Sequence, residues 1–421
     1  MEKLLQQSLC LPVDDASSFC SESREADDAN SSALLPAAES GNLMRVQQLL
    51  NRSDVDINYA RAFDGVTALR LAAQEGHVHV VKELLSRSDL NVNVLDDDEW
   101  SALGIAAGAG HDAAVRELLS REDLDVNHVD SKGDSALILA ASFGHELVVA
   151  ELLRRCNLDV NHVNNEGCSA LCISAVKGHD AVIKELLSCS HLDVNYVNED
   201  AESGACEGTG GCSALYMAAS EGNDVAVKVL LSSSNLQVNL TDSRGRSALY
   251  IAASEGHSAV VQELLSRADV DINHADHDGS SAVLIASLKG HQAVVKALLS
   301  RSDLDVNIST NEQGNAALFL ASYKGHVPVV QELLSRSDLD VNHTTNEGRT
   351  ALFAAAYNGY EAVVKALLGH KEIGINLATS SGETALSISL ERGHSEIVDL
   401  LRLSGARDED GQTPSCRCIV M

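Results

Sequence analysis

One phrase recurs along the whole of this 421-residue chain. The stretch that opens at Thr67, TALRLAAQEGHVHVVKELLS, returns as SALGIAAGAGHDAAVRELLS at Ser101 and as SALYIAASEGHSAVVQELLS at Ser247. Self-similarity at a nearly fixed period predicts a repeat architecture, in which each copy is one structural unit packed on its neighbours. The opening residues, nearly all Ser or Thr, stand at 32, 67, 101, 135, 169, 213, 247, 281, 316, 350 and 384, which gives steps of 35, 34, 34, 34, 44, 34, 34, 35, 34 and 34.

The sequence of each copy predicts two short helices joined by a tight turn. The opening Ser or Thr can cap the first helix, and the Ala-rich run after it has high helix propensity. A glycine that recurs at a fixed place, as at Gly76 and Gly110, is suited to end this helix in a left-handed conformation. The second helix carries an apolar stripe that includes Val149 and Leu153. One such hairpin cannot bury that stripe alone, so the copies must stack.

These residues resemble the ankyrin repeats. The family's pattern T-P-L-H-x-A-A-x-x-G-H-x-x-V-V-x-L-L, followed by D-V-N, is similar to what stands in residues 31–406, at nearly the family period of about 33 residues. The resemblance implies an all-α fold, an ankyrin-repeat solenoid of about eleven stacked helix-turn-helix units with connecting β-hairpin-like fingers. It also implies a protein-binding role.

The copies depart from the family pattern in three ways. The Pro of the motif is Ala in almost every copy, and one extra residue follows the second helix, where LLSRSDLDVN replaces a Gly-containing turn. Losing the Pro removes a preset φ angle, and losing the His removes a side-chain hydrogen bond. We therefore expect each unit to be less rigid than the family consensus. The family's His is replaced by Arg70, Gly104, Ile138, Cys172, Tyr216, Tyr250, Leu284, Phe319, Phe353 and Ser387.

The charge balance argues against nucleic acid as a partner. Lys and Arg number 31 against 61 Asp and Glu, which gives a net charge of −30. Proteins that bind nucleic acid carry basic patches. The other interpretation of this charge is that it only keeps a long Ala-rich array in solution.

No motif predicts catalysis, a cofactor or a metal. The chain lacks G-x4-G-K-[ST], H-E-x-x-H and G-x-S-x-G, and its one S-x-x-K, Ser174 to Lys177, has no companion motifs. Six of the ten cysteines lie between Cys156 and Cys212 without a C-x2-C pair. The histidines that follow the repeat's Gly stand a repeat apart and cannot converge on a metal, so we expect them to bond the inter-helix turn. They are His77, His111, His145, His179, His257, His291, His326 and His394.

Segments outside the array lack the repeat. Residues 1–30, rich in Ser, Asp and Glu, are expected to be disordered, and residues 407–421 to form a flexible tail. We find no secretory signal and no apolar run long enough to span a membrane, and Glu2 excludes N-myristoylation. These features predict a cytoplasmic protein. The copies at Ser32–Leu50 and Thr384–Ser404 are the expected polar caps.

Two fingers are candidate partner-binding sites. The step of 44 places an acidic insertion at residues 198–211, and long loops on a rigid scaffold often carry function, although a tolerated surface insertion explains it equally well. The finger DDDEW holds the chain's one Trp, which can anchor a basic partner or pack against the next finger. The candidate contacts are Asp96, Asp97, Asp98, Trp100 and Tyr196.

The tail ends in a prenylation motif. Cys418-Ile419-Val420-Met421 fits the C-a-a-X pattern, and the final Met favours farnesyl. One such chain holds a protein at a membrane only marginally, so a second signal is needed, and Cys416 is the available site for reversible palmitoylation. The paired cysteines resemble the tails of small GTPases. The alternatives are an unmodified Cys418 and an unacylated Cys416.

Taken together, these features predict a non-enzymatic, monomeric ankyrin scaffold or adaptor, tethered to the cytosolic face of a membrane by Cys418. Its protein partner would lie on the concave face lined by the fingers and first helices. One alternative is a soluble ankyrin adaptor without lipid. Another is an effector or substrate-recruiting subunit that acts on ubiquitin or trafficking machinery.

Overall fold

The structure is a computed structural model that describes residues 29–198, 210–310 and 312–407. The predictions for residues 1–28, for most of the insertion and for the tail, including Cys416 and Cys418, lie outside the described residues. The predicted array therefore accounts for nearly everything that is described.

Eleven consecutive helix pairs follow the predicted copies. The first helix of each pair contains the Ala-rich run, and the second contains the Val and Leu stripe. The first three pairs are α1 (Leu34–Glu39) with α2 (Leu43–Leu50), α3 (Ala68–Gln74) with α4 (Val78–Leu85), and α5 (Ala102–Ala109) with α6 (Asp112–Leu118). The next four are α7 (Ala136–Ser142) with α8 (Glu146–Leu152), α9 (Ala170–Lys177) with α10 (Asp180–Leu187), α11 (Ala214–Ser220) with α12 (Asp224–Leu231), and α13 (Ala248–Glu255) with α14 (Ser258–Leu265). The last four are α15 (Ala282–Lys289) with α16 (Gln292–Leu299), α17 (Ala317–Lys324) with α18 (Val327–Leu334), α19 (Ala351–Asn358) with α20 (Glu361–Leu368), and α21 (Ala385–Arg392) with α22 (Ser395–Leu403).

The predicted caps of the first helices are present in most copies. The Ser101 hydroxyl accepts a hydrogen bond from the Gly104 N–H at 3.0 Å, and Thr350 does the same for the Phe353 N–H at 3.1 Å. Ser281 makes no such bond, and Ala316 has no hydroxyl to offer. The cap is therefore a common device of the copies and is not needed in each one.

The first copy begins differently from the prediction. Helix α1 starts at Leu34 after Ala33, and no side chain caps it. The reason is local: residues 29–32 are already helical, so the chain does not enter α1 from an extended finger. The Ser32 hydroxyl instead donates to the Ala29 carbonyl at 3.0 Å.

The turn glycines are left-handed, as predicted. Gly76 has a φ of 69° and Gly110 a φ of 80°. At Gly76 a second constraint comes from the next copy, because a Cβ there would lie 2.6 Å from Nδ1 of His111. Glycine is thus required by the backbone and by the stacking together.

The fingers are short antiparallel hairpins. Single bridges join Ala60 to Thr67 and Thr241 to Ser247, for example. The two strands β1 (Val197–Asn198) and β2 (Cys212–Ser213) pair antiparallel and flank the insertion. The base of this finger is therefore paired on both sides of the insertion.

The core repeats with the copies. In α8, Val148, Val149 and Leu152 are buried, while Leu153 at the helix end is half-buried. Contacts divide the chain into two compact units, one ending at Ser131 and the other beginning at Lys132. Within each unit, first helices pack on neighbouring first helices and second helices on second helices. Among the described residues, every helix is too short or too polar to cross a bilayer.

Candidate interaction surface

Histidines bond one copy to the preceding one. The ring nitrogen Nε2 of His111 lies 2.9 Å from the Gln74 carbonyl oxygen, and that of His291 lies 3.0 Å from the Ser254 oxygen. Each ring thus contacts the end of the neighbouring first helix, in accord with the predicted structural role. Within the described part of the chain, no group of His, Cys, Asp and Glu has an arrangement suited to a metal ion.

The linker asparagines form a second set of bonds between copies. Asn195 donates from Nδ2 to the Asn235 carbonyl at 2.8 Å, and its Oδ1 accepts the Gln237 N–H at 2.7 Å. Asn239 repeats this arrangement with Asp269 and Asp271. The bonds of Asn195 span the insertion, so the inserted residues do not interrupt the stacking of the second unit.

The arginine of the LLSRSDLDVN linker, which follows the second helix, supplies a third set of bonds between copies. Arg301 donates from Nη1 to the carbonyl oxygens of Leu265 and Arg267 at 3.1 and 3.2 Å. The same guanidinium pairs with Asp303 at 2.8 and 2.6 Å, and its hydrogen bonds lower the pKa of the Asp303 carboxyl. A cation at the end of the preceding second helix also complements the helix dipole. This departure from the family pattern therefore contributes to stacking, which the sequence interpretation missed.

The finger at Asp96–Trp100 is stabilised by Asp96 itself. The Asp96 side chain is buried and pairs with Nε of Arg70 at 2.8 Å. Its Oδ1 accepts the N–H groups of Asp98 and Trp100 at 3.1 and 2.8 Å. Burial raises the pKa of Asp96. Asp96 is thus an internal support of the finger, whereas the exposed carboxylates are those of Asp97, Asp98 and Glu99.

The same finger stores backbone strain. Glu99 has a φ of 63° and is the one non-glycine residue with a positive φ in the described ranges. Other fingers place a glycine at this position, as at Gly65 and Gly133. Strain of this kind persists where the surroundings impose it and often marks functional segments. It draws attention to the exposed acids beside Trp100.

Replacing Glu99 with Gly is expected to raise the free energy of unfolding of the first unit by about 1 kcal/mol, because Gly adopts a positive φ without a Cβ penalty. Urea unfolding would measure the change. The control is Asp98→Gly, a neighbouring exposed position without a positive φ, which is expected to lower stability. Equal effects of the two substitutions would contradict the assignment of strain to Glu99.

The remaining candidates are half-buried. Trp100 keeps part of its indole exposed. Tyr196 lies in the second unit, where its hydroxyl donates to the Gly167 carbonyl at 3.2 Å. His162 makes the equivalent contact with the Gly133 oxygen at 2.8 Å. Tyr196 therefore occupies the position of a structural finger histidine. Of the candidate contacts, only the acids of the Asp96–Trp100 finger and Trp100 itself belong to one finger.

A pairing rule between copies escaped the sequence interpretation. Where the family's His position holds a side chain that can donate, the finger residue 26 positions later is Asp, and the two are partners: Arg70 with Asp96, Tyr216 with Asp242, and Tyr250 with Asp276. Where that position is apolar, the finger residue is Asn or Thr, as in Ile138 with Asn164, Cys172 with Asn198, Leu284 with Thr310, Phe319 with Thr345, and Phe353 with Thr379. Gly104 with Asp130 is the exception. A buried carboxylate needs a partner, so aligning the copies with one another would have exposed the rule.

A family model for ankyrin repeats, built of three copies, matches residues 34–130, 110–200, 195–276, 268–345 and 335–412. The chain belongs to the ankyrin repeat family. Ankyrin repeats are protein-interaction modules, so the ankyrin array is a scaffold for protein partners.

Similar solved structures include the ankyrin repeat protein EF0377, at 28% identity with a TM-score of 0.43, covering 46% of this chain and 97% of that one. The ankyrin repeat domain of Bcl-3, described as a unique member of the IkappaB protein family, is 21% identical with a TM-score of 0.49, covering 56% of this ankyrin chain and 99% of that one. A comparison with curated protein sequences gave no match.

Proposed function

We propose that this ankyrin chain is a non-enzymatic scaffold that brings a protein partner to the cytosolic face of a membrane. The observation that carries the tether is the sequence Cys418-Ile419-Val420-Met421. An array without catalytic motifs gains a function from such a tether, because attachment raises the local concentration of whatever the array binds.

The modification requires a prenyl diphosphate as donor. The Cys418 sulfur, as thiolate, forms a thioether bond to the terminal carbon of the farnesyl group, diphosphate leaves, and the thiol proton passes to solvent. The affinity for the bilayer then comes from the buried methylenes. The chain's net charge of −30 opposes contact with anionic lipid, so one lipid chain alone would hold it weakly. Acylation of Cys416 is the second signal that we propose: an acyl thioester donor transfers its acyl group to the Cys416 sulfur, the donor's own thiol leaves with the proton, and a new thioester forms.

Partner contacts are proposed at the exposed part of the Asp96–Trp100 finger. Asp97 and Asp98 are exposed, and Trp100, two residues after Asp98, is half-buried. Exposed acids beside an aromatic ring favour a basic segment in the partner. Asp96 would hold this surface in shape through Arg70.

The test is the intact mass of the chain expressed in eukaryotic cells, compared with a Cys418→Ser variant and with a Cys156→Ser control. We expect a farnesyl adduct, loss of the last three residues and recovery with membranes for the parent chain and the control. The variant is expected to carry no farnesyl group and to lose most of its membrane recovery, because acylation of Cys416 would leave it with at most one lipid chain, and one chain holds a protein at a bilayer only marginally. An unmodified parent chain that ends at Met421 would overturn the tether and leave a soluble adaptor.

A further inference from the structure

One surface of the second unit changes character along the array. Each copy places two residues on its first helix just before the turn glycine, and we call the line of these pairs the first-helix ridge. In the sixth and seventh copies the pairs are Ser220-Glu221 and Ser254-Glu255. In the last four copies they are Leu288-Lys289, Tyr323-Lys324, Tyr357-Asn358 and Glu391-Arg392.

The last four pairs form a continuous surface. Lys289 reaches back to Glu255 with its Nζ 3.1 Å from Oε1, which shows that successive pairs face each other. Asn358 donates from Nδ2 to the Tyr323 carbonyl at 3.2 Å. The Arg392 guanidinium lies over the Tyr357 ring, 4.0 Å from its centroid. These contacts join the seventh pair to the eighth, the ninth to the tenth and the tenth to the eleventh, and the first helices of the eighth and ninth copies pack on each other.

The tyrosines of the ridge are supported from behind. Tyr323 stacks on Phe319 with ring centroids 6.2 Å apart, and Tyr357 stacks on Phe353 at 6.4 Å. Both phenylalanines are buried, while Tyr323 is 42% exposed and Tyr357 half-buried. Rings held in place in this way lose little conformational entropy when a ligand packs on them.

The cations of the ridge are available. Lys324 and Arg392 are exposed and lie over tyrosine rings, Lys324 with its Nζ 5.6 Å from the Tyr323 centroid. Within the described residues no carboxylate forms an ion pair with either of them. Glu391 is the one carboxylate among the eight residues of the last four pairs. In a chain of net charge −30, this ridge is a local positive surface.

We propose that the first-helix ridge from Leu288 to Arg392 binds an acidic segment of a partner protein that also carries apolar side chains. Lys324 and Arg392 pair with its carboxylates, and Tyr323 and Tyr357 pack against its apolar groups. The charge of the whole chain repels such a segment, so binding depends on this local field and rejects acidic chains that do not fit it. The proposal rests on the protein-binding role given above and is independent of prenylation.

The experiment uses the full, unmodified chain from bacteria and a fluorescein-labelled peptide of repeated Asp-Glu-Leu units, followed by anisotropy at low salt. The ridge variant is Lys324→Glu with Arg392→Glu, which restores the sign found at Glu221 and Glu255. The control is Lys184→Glu with Lys296→Glu, two exposed lysines on second helices whose reversal changes the net charge by the same amount. We expect the ridge variant to bind at least about tenfold more weakly and the control to bind nearly as the parent does.

Several outcomes would overturn the proposal. The proposal is wrong if the peptide binds the ridge variant as tightly as the parent, or if the ridge variant and the control lose the same affinity for the peptide. It is also wrong if the peptide does not bind the parent. If phosphatidylserine vesicles bind the parent but not the ridge variant, and the peptide binds neither, the surface recognises lipid and the proposal is wrong.

A milder variant is Lys324→Gln with Arg392→Gln, whose fold is checked by circular dichroism. Loss of membrane recovery in Cys418→Ser tests the tether alone, so the two proposals can fail separately.

Discussion

Replacing Gly290 with Ala is expected to destabilise the second unit by about 3 kcal/mol, whereas the same substitution at Gly393 should cost about 1 kcal/mol. Both glycines are left-handed, with φ angles of 83° and 77°, so the backbone penalty is shared. The larger loss of stability expected at Gly290 comes from a contact with the neighbouring copy. A Cβ at Gly290 would lie 2.7 Å from Nδ1 of His326, while nothing lies within 4 Å of a Cβ at Gly393.

The physical reason is that the His326 ring cannot move away without cost. Its Nε2 lies 3.0 Å from the Leu288 carbonyl oxygen, and a shift that relieves the clash breaks this bond. Urea unfolding followed by circular dichroism would give the two losses, and hydrogen exchange would locate them. A double variant, Gly290→Ala with His326→Ala, should recover part of the loss because the clash is gone. Equal losses at Gly290 and Gly393 would contradict the account.

The period of the sequence predicts most of this architecture. It predicts the helix pairs, the left-handed turn at Gly76 and the structural use of His111, because each depends on contacts that recur in the same way in every copy. The fingers followed from the resemblance, and the bridge between Ala60 and Thr67 confirms their hairpin form. Local periodicity and recurring contacts were enough for this part of the fold.

The features that the period does not predict depend on which side chains of one copy contact which side chains of the next. An acidic run such as DDDEW has the appearance of a solvated surface, and only the ion pair with Arg70 shows that Asp96 is buried. The first-helix ridge was missed for a similar reason. Its positive character depends on bringing Lys324 and Arg392, which stand two repeats apart in the sequence, onto one surface, and the net charge of the chain conceals it.

Replacing Arg301 with Ala is expected to destabilise the second unit by about 2 kcal/mol, because its charged donors to the Leu265 and Arg267 carbonyls are lost. The Arg301 side chain is only 21% exposed, so solvent replaces those bonds poorly. The matched control is Asp303→Asn, which weakens the ion pair and leaves the carbonyl bonds in place. The Asp303 side chain is 53% exposed, and we expect a much smaller loss there.

The two substitutions should also differ in their pH dependence. The hydrogen bonds of Arg301 lower the folded-state pKa of Asp303 below its unfolded value of about 3.9. The stability gained from that carboxylate is therefore present above the unfolded pKa and is lost as the pH falls through the folded pKa. The difference between the parent and Asp303→Asn should narrow on acidification, whereas most of the loss in Arg301→Ala should persist, because backbone carbonyls do not titrate. Unfolding in urea between about pH 2 and pH 7 measures both. If Arg301→Ala and Asp303→Asn lose the same stability at every pH, Arg301 acts only through its ion pair, and its bonds to the Leu265 and Arg267 carbonyls have no part in stacking.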